Sequence, residues 1–225
     1  MYSYLLIDAD NTLFDFDQNN YRALRRTCEL NGLPFSEETH ALYSRINDQM
    51  WHEFEKGIRT KESVLVERFR LFGEALSIPV DPVKCTTDHE AGLAMPPVMI
   101  KDAEEVCRYL SQKYELYLVT NAVEHVQRSR FAHSPLPPYF KDVFISEAIG
   151  YGKPDPRFFE YVFAHIPGIT RENCLLVGDG LGSDIRGANN FSIPCCWFNL
   201  KDQQLPDDLH ADYIIKELAD LYRIL

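Results

Sequence analysis

Asp8 and Asp10 stand two residues apart in Asp8-Ala-Asp-Asn-Thr12, directly after the apolar stretch 4–7. At the carboxyl end of a strand, both carboxylates reach one site if the chain leaves strand geometry there. Taken alone, the same residues also read as turn-forming or helix-capping aspartates. Thr120-Asn121 ends a second apolar stretch, and a hydroxyl beside a backbone N–H suits phosphate oxygens, although the pair reads equally as a polar turn. Lys153, in Gly152-Lys-Pro-Asp155, reads singly as a solvated lysine. Gly178-Asp179-Gly-Leu-Gly-Ser-Asp184 leaves a further apolar stretch with two acids five residues apart. Asp184 alone would favour a helix N-terminus electrostatically.

The glycines at 178, 180 and 182 invite a dinucleotide reading. They spell GxGxG where the fingerprint needs GxGxxG, the sixth position is Ser183, and Asp179 would repel a pyrophosphate. The turn also falls late in the chain rather than in a first strand–helix–strand unit. These features argue against nicotinamide or flavin.

The elements that must position these residues are legible in the hydrophobic pattern. Short apolar runs at 4–7, 116–119, 143–145, 174–177 and 195–198, with a further run at 213–215, read as strands. Continuous rather than alternating apolar runs suit strands buried on both faces of a parallel sheet. Helical patterns at 102–112, 124–131, 157–165 and 182–190 lie between them, with Pro156 placed where a helix can begin. Strand–helix alternation predicts an α/β fold with a doubly wound parallel sheet, whose ligands bind beyond the carboxyl ends of the strands. Residues 16–95 break the alternation with four helical patterns (20–30, 37–54, 61–76 and 82–93) and close on Ala94-Met-Pro-Pro97. The expected organisation is an α/β core of 1–15 and 96–225 with an all-helical insertion at 16–95.

Composition narrows the partners. The 225 residues are 45% hydrophobic and 25% charged, values that exclude disorder and collagen-like repeats. With 34 Asp+Glu against 23 Lys+Arg, the net charge of −11 disfavours a nucleic-acid polymer, which needs clustered cations. A small, highly charged substrate remains compatible if a metal or a few placed cations offset the acidity. No apolar run approaches a membrane span, and the acid at position 8 comes too early for a signal peptide. The six cysteines form no CxxC pair and are expected to be reduced thiols of a cytoplasmic protein, with Cys195 and Cys196 on opposite strand faces. The seven histidines make no HxxxH or HExxH pair, so zinc ligation is not expected.

Asp-x-Asp-x-Thr, Thr-Asn, Lys-Pro and Gly-Asp-x4-Asp, in that order and each at a strand end, resemble the haloacid dehalogenase (HAD) superfamily, specifically its phosphatases with a helical cap inserted after the first strand. The resemblance spans essentially the whole chain. It implies a phosphomonoesterase working through an aspartyl-phosphate on Asp8, with Asp10 protonating the leaving alcohol and then activating water. It further implies that Asp8, Asp179 and the Asp10 backbone carbonyl hold Mg²⁺ with Asp184 in support, and that Thr120, the Asn121 backbone and Lys153 bind the transferring phosphoryl group. Thr12 would be a positioning residue. Charge arithmetic agrees: at an effective dielectric near 20, each like-charged pair at ~5 Å costs about 3 kcal/mol, so four acids beside a phosphate need a divalent cation. An all-oxygen donor set favours Mg²⁺. The second acid, Asp10, separates this pattern from carbon–halogen dehalogenases, whose halide leaving group needs no proton.

Residues 47–58 and 67–69, with 8–16 and Cys196-Trp-Phe-Asn199, further resemble the pyrimidine 5′-nucleotidase branch. That implies a nucleoside monophosphate as substrate; other small phosphates such as phosphoglycolate or a sugar phosphate, a phosphomutase and a non-catalytic binding protein are the alternatives. Trp51 and Phe54 suit either packing within the cap or stacking on a base. The chain departs from the branch at Asn11, where an acid is usual, at Ala122, where a glycine often follows Thr-Asn, and at Gly180, which replaces a small hydroxyl residue.

Overall fold

A computed structural model describes residues 2–225. In chain order its elements begin with β1 (Tyr4–Ile7) and four helices, α1 (Phe16–Asn31), α2 (Glu37–Glu55), α3 (Lys61–Leu76) and α4 (Pro82–Leu93). There follow α5 (Ala103–Leu110), β2 (Glu115–Thr120), α6 (Glu124–Ala132), β3 (Phe140–Ile145), α7 (Ser146–Ile149), α8 (Pro156–His165) and β4 (Cys174–Gly178). A π turn at Leu181–Ile185 runs into α9 (Arg186–Phe191), and β5 (Cys195–Phe198), β6 (Tyr213–Ile215) and α10 (Leu221–Ile224) complete the chain.

All six strands are parallel, in the order β3-β2-β1-β4-β5-β6. The chain leaves β1 toward β2 and later returns to β1's other flank as β4, so the topological switch point lies at β1. Period-two alternation divides the sheet between two cores. Leu5, Ile7, Leu116, Leu118, Leu175, Val177, Cys196 and Phe198 face one, shared with Val106, Cys107 and Leu110 of α5. Leu6, Val119, Leu176, Cys195 and Trp197 face the other, shared with Phe158, Phe159 and Val162 of α8. Cys195 and Cys196 thus point to opposite faces, and helices cover both sides: the sheet is doubly wound, as the strand pattern predicts.

The residues up to Phe16 together with Pro96–Leu225 form one compact unit, and Asp17–Met95 forms a second. The second is wholly helical. Its helix starts are written in local sequence: Ser36 and Thr39 form a capping box on α2, Thr60 caps α3, and Asp81 caps α4 just before Pro82. Leu24, Cys28, Tyr43, Phe69, Phe72 and Cys85 make its core. Beside that core runs a buried polar chain. Arg68 Nη1 donates to Asn47 Oδ1 at 3.0 Å, Arg68 Nη2 lies 3.4 Å from His89 Nδ1, and His89 Nε2 lies 2.9 Å from Asn20 Oδ1. An arginine only donates, so His89 accepts at Nδ1 and carries its proton on Nε2. Burial, and then the neighbouring guanidinium, push the imidazole well below its ordinary range.

Several boundaries differ from the hydrophobic pattern, β3 starting at Phe140 rather than 143 among them. Helix α1 starts at Phe16 rather than 20, because Asn11 Oδ1 accepts the Phe16 N–H at 3.0 Å. Helix α5 starts at Ala103, since Asp102 sits in the left-handed region at φ 64°. The 182–190 helix opens as the π turn, where the chain bends around Asp184. Among the described residues, no helix is long and apolar enough to cross a membrane.

Candidate active site

The carboxyl ends of β1, β2 and β4 lie side by side at the switch point, where open α/β sheets bind ligands. Each contributes a polar residue where its apolar run stops. Asp8 follows β1, and its N–H still donates to Val177 O in β4 at 2.9 Å, which fixes the start of its side chain. Thr120 is the last residue of β2, and Asp179 follows Gly178 at the end of β4. One oxygen from each of Asp8, Asp179 and Asp184 lies within 4.8 Å of the others, with Asp8 and Asp184 buried and Asp179 half-buried.

Lys153 neutralises part of this charge. Its ammonium donates to Asp8 Oδ1 at 2.6 Å, Asp184 Oδ1 at 2.6 Å and Val119 O at 2.8 Å, using all three protons within the protein. Burial opposes its charge, but Asp184 and Asp8 outweigh that, and its pKa is raised. The Asn121 side chain holds the lysine's backbone from both sides: Lys153 N–H donates to Oδ1 at 2.9 Å and Nδ2 donates to Lys153 O at 2.7 Å. Gly152 permits that approach, since a Cβ there would sit 2.8 Å from Asn121 Oδ1.

Asp184 is equally constrained. Its Oδ2 accepts the Gly180 N–H at 2.9 Å and its Oδ1 accepts from Lys153, so both oxygens have protein partners. The turn that carries it needs a glycine at 178, where a Cβ would fall 2.4 Å from Asp184 Cγ. The glycines that resemble a dinucleotide fingerprint therefore include one that makes room for an acid. Asp179 is held through its backbone, its carbonyl accepting the Trp197 indole N–H at 2.9 Å.

Three clustered carboxylates, two of them buried, against one ammonium leave net negative charge in a low-dielectric place. Burial pushes the Asp8 carboxyl up to about 7, against the pull of Lys153 and with help from Asp184, and burial with Asp8 and Asp184 pushes Asp179 well above the carboxylate range. This donor set fits Mg²⁺: it is all oxygen, its oxygens are clustered, and its excess charge needs a cation. Among the described residues, Thr120 Oγ1 and Thr12 Oγ1 are buried with no hydrogen-bond partner, which leaves the Thr120 hydroxyl available to a ligand oxygen.

Asp10 points elsewhere. Its Oδ1 lies 2.6 Å from Nη2 of Arg130, a fully buried residue of α6, and its side chain is not in the three-acid cluster. Arg130, Gln127 and Trp197 are the site neighbours that sequence reasoning missed. The available signal was helical phase: Arg128 is exposed and pairs with Glu124 one turn back, whereas Arg130, two positions on, falls on α6's inward side with Val126 and Gln127. In the helical unit, Trp51 and Phe54 are half-buried and meet edge to face at 5.5 Å.

The model of the haloacid dehalogenase-like hydrolases matches residues 2–191. The HAD-hydrolase YfnB of Bacillus subtilis is 34% identical over 224 residues, covering 100% of this chain and 95% of its own. Its magnesium-bound crystal structure superposes with a TM-score of 0.96 over 100% of this chain and 98% of that one. The pyrimidine 5′-nucleotidase PynA of Streptococcus pneumoniae is 32% identical (97% and 94% covered) and YjjG of Escherichia coli, of the same name, 26% (100% and 98%). The chain belongs to the haloacid dehalogenase-like hydrolases, and it is an enzyme.

Proposed function

We propose that this enzyme is a Mg²⁺-dependent phosphomonoesterase that hydrolyses small phosphorylated metabolites through an aspartyl-phosphate on Asp8, with pyrimidine nucleoside 5′-monophosphates as its preferred substrates. The α/β part (1–15 and 96–225) would be the catalytic domain and 16–95 its helical cap. The observation that carries the reading is the Asp8–Lys153–Asp184 constellation beside Asp179 at the switch point. Full-length similarity to two pyrimidine 5′-nucleotidases supports the substrate class.

Asp8 and Asp179 would hold the metal with the Asp10 backbone carbonyl, and Asp184 would support it. Bound there, Mg²⁺ would supply positive charge to the phosphate and let the acids stay ionised. Lys153 fixes Asp8 through Oδ1, so the carboxylate is oriented to attack phosphorus. The Asp8–phosphorus bond forms as the ester bond breaks, and the leaving alcohol takes a proton from Asp10. Water then attacks the phosphorus of the aspartyl-phosphate, Asp10 takes the water's proton, and Asp8 is released. The Thr120 hydroxyl and the Asn121 N–H would bind phosphoryl oxygens, while the Lys153 ammonium offsets part of the negative charge around them.

The test is phosphate release across nucleoside monophosphates, sugar phosphates and phosphoglycolate, with Mg²⁺ and after chelation. Metal-dependent turnover with the highest kcat/KM on pyrimidine 5′-monophosphates supports the reading. Turnover that survives exhaustive chelation rejects the metal, and a sugar phosphate leading the series rejects the substrate class.

A further inference from the structure

Arg130 is among the largest side chains with no solvent exposure to speak of, at 1%. Removing a guanidinium from water is costly unless it is paired, so what holds it there matters. It has two side-chain polar contacts: Gln127 Oε1, which accepts from Nη1 at 3.1 Å, and Asp10 Oδ1, 2.6 Å from Nη2. Phe14 lies under its guanidinium at 5.0 Å and Phe16 at 5.9 Å. Gln127 is itself fully buried. Arginine, glutamine and the two rings make a wall, and the ion pair found for it among the described residues is with Asp10.

The pair is asymmetric. The Asp10 side chain is 28% exposed while its Oδ1 is buried against Arg130, so the exposure belongs to its remaining atoms. The close ion pair, which lacks hydrogen-bond geometry, engages Oδ1 and leaves Oδ2 outside it. A carboxyl group that must give a proton to a leaving oxygen and later take one from water works best when one oxygen is anchored and the other aimed. The geometry points to Arg130 as the positioning residue for Asp10: it orients the carboxyl group by Oδ1 so that proton transfer runs through Oδ2, with Gln127 fixing the guanidinium in turn. This rests on the proposed acid–base role of Asp10 and adds to it the residue through which that role is achieved.

A positioning residue acts only through its client, and this separates it from a packing residue. Arg130→Met keeps most of the volume and removes the tether. The readout is the pre-steady-state burst of leaving group, which isolates the first phosphoryl transfer, on uridine 5′-monophosphate and on p-nitrophenyl phosphate. A nucleoside alcohol needs protonation as it leaves and p-nitrophenol hardly does. Arg130→Met should slow the burst on the nucleotide by ~10²-fold, the scale of a misplaced catalytic group, and change the other burst far less. Mg²⁺ affinity should be unchanged, and Arg130→Lys should recover part of the loss. In an Asp10→Asn background Arg130→Met should add nothing further, because its client is gone.

Should Arg130→Met fail to fold, Gln127→Leu withdraws the arginine's other side-chain acceptor and should give the same leaving-group contrast at smaller size. Equal slowing of both bursts in a folded variant, or the same factor in the Asp10→Asn background as in wild type, overturns the inference. Asp10→Asn alone decides the underlying reading: if it slows both bursts equally, Asp10 is not the acid, whatever Arg130 does.

Discussion

At the scale of single residues, the site is a charge problem that one lysine partly offsets. Lys153 donates to Asp8, Asp184 and the β2 backbone at once, and its own backbone is clamped by the Asn121 amide. Lys153→Met should lower stability by ~3–5 kcal/mol in denaturant titrations at neutral pH, the range for removing one partner from a buried ion pair. Asn121→Ala should act more gently, lowering kcat by about 10- to 100-fold, since the ammonium keeps its charge but loses its fixed position. A kcat unchanged in that variant would show that Lys153 needs no clamp. Asn11, an unusual residue for the nucleotidase branch, has a local explanation: it occupies the left-handed region at φ 57°, which asparagine tolerates, and its side chain caps α1.

At the scale of elements, β4 and the turn after it show how a backbone makes room for chemistry. Gly178→Ala would place a methyl group 2.4 Å from Asp184 Cγ, so the acid or the strand end must move. Overpacking of this kind costs about 1–3 kcal/mol, and Mg²⁺ binding measured by calorimetry should weaken in parallel. In the helical insertion, His89 gives a pH dependence with a definite sign. Its folded pKa lies well below 6.5, so the native imidazole stays neutral while the unfolded chain takes up a proton once pH falls beneath 6.5. The contribution is present above pH 6.5 and is lost below it, at about 1.4 kcal/mol per pH unit. His89→Gln cannot titrate. The stability gap between wild type and this variant, both in Mg²⁺, should therefore shift against wild type as pH falls from 6.5 toward 5; a constant gap would show that His89 protonates freely in the native state.

At the scale of the molecule, most of the architecture was legible because buried parallel strands are written as short continuous apolar runs, and the sheet they form brings their ends together. The placement of residues 8, 120 and 179 at strand ends follows from that, whereas Asp184 lies in the turn beyond β4. Partners across the fold were not legible. Arg130 resembles Arg128 in residue type; helical phase sets the two on different sides of α6, and the packing of α6 shows which side is buried. The π turn was hidden because its cause, Asp184 folding back onto the Gly180 N–H, is a contact rather than a propensity. The acidity of the whole chain, −11, is compatible with the proposed site, which would recruit a cation. Mg²⁺ at 100 times its dissociation constant should stabilise the folded protein by about 2.7 kcal/mol, read as a rise in Tm that chelation reverses.

Passage of the phosphoryl group through Asp8 can be caught by weighing the protein during turnover. Enzyme turning over a saturating nucleoside monophosphate in Mg²⁺ is quenched in acid within milliseconds, its intact mass is measured, and the phosphorylated peptide is sequenced. A fraction of molecules should carry one phosphoryl group, located at Asp8 and absent from Asp8→Asn, which should release no phosphate. Phosphate release at the wild-type rate from Asp8→Asn, or a phosphoryl group found on any other residue, would contradict passage through Asp8.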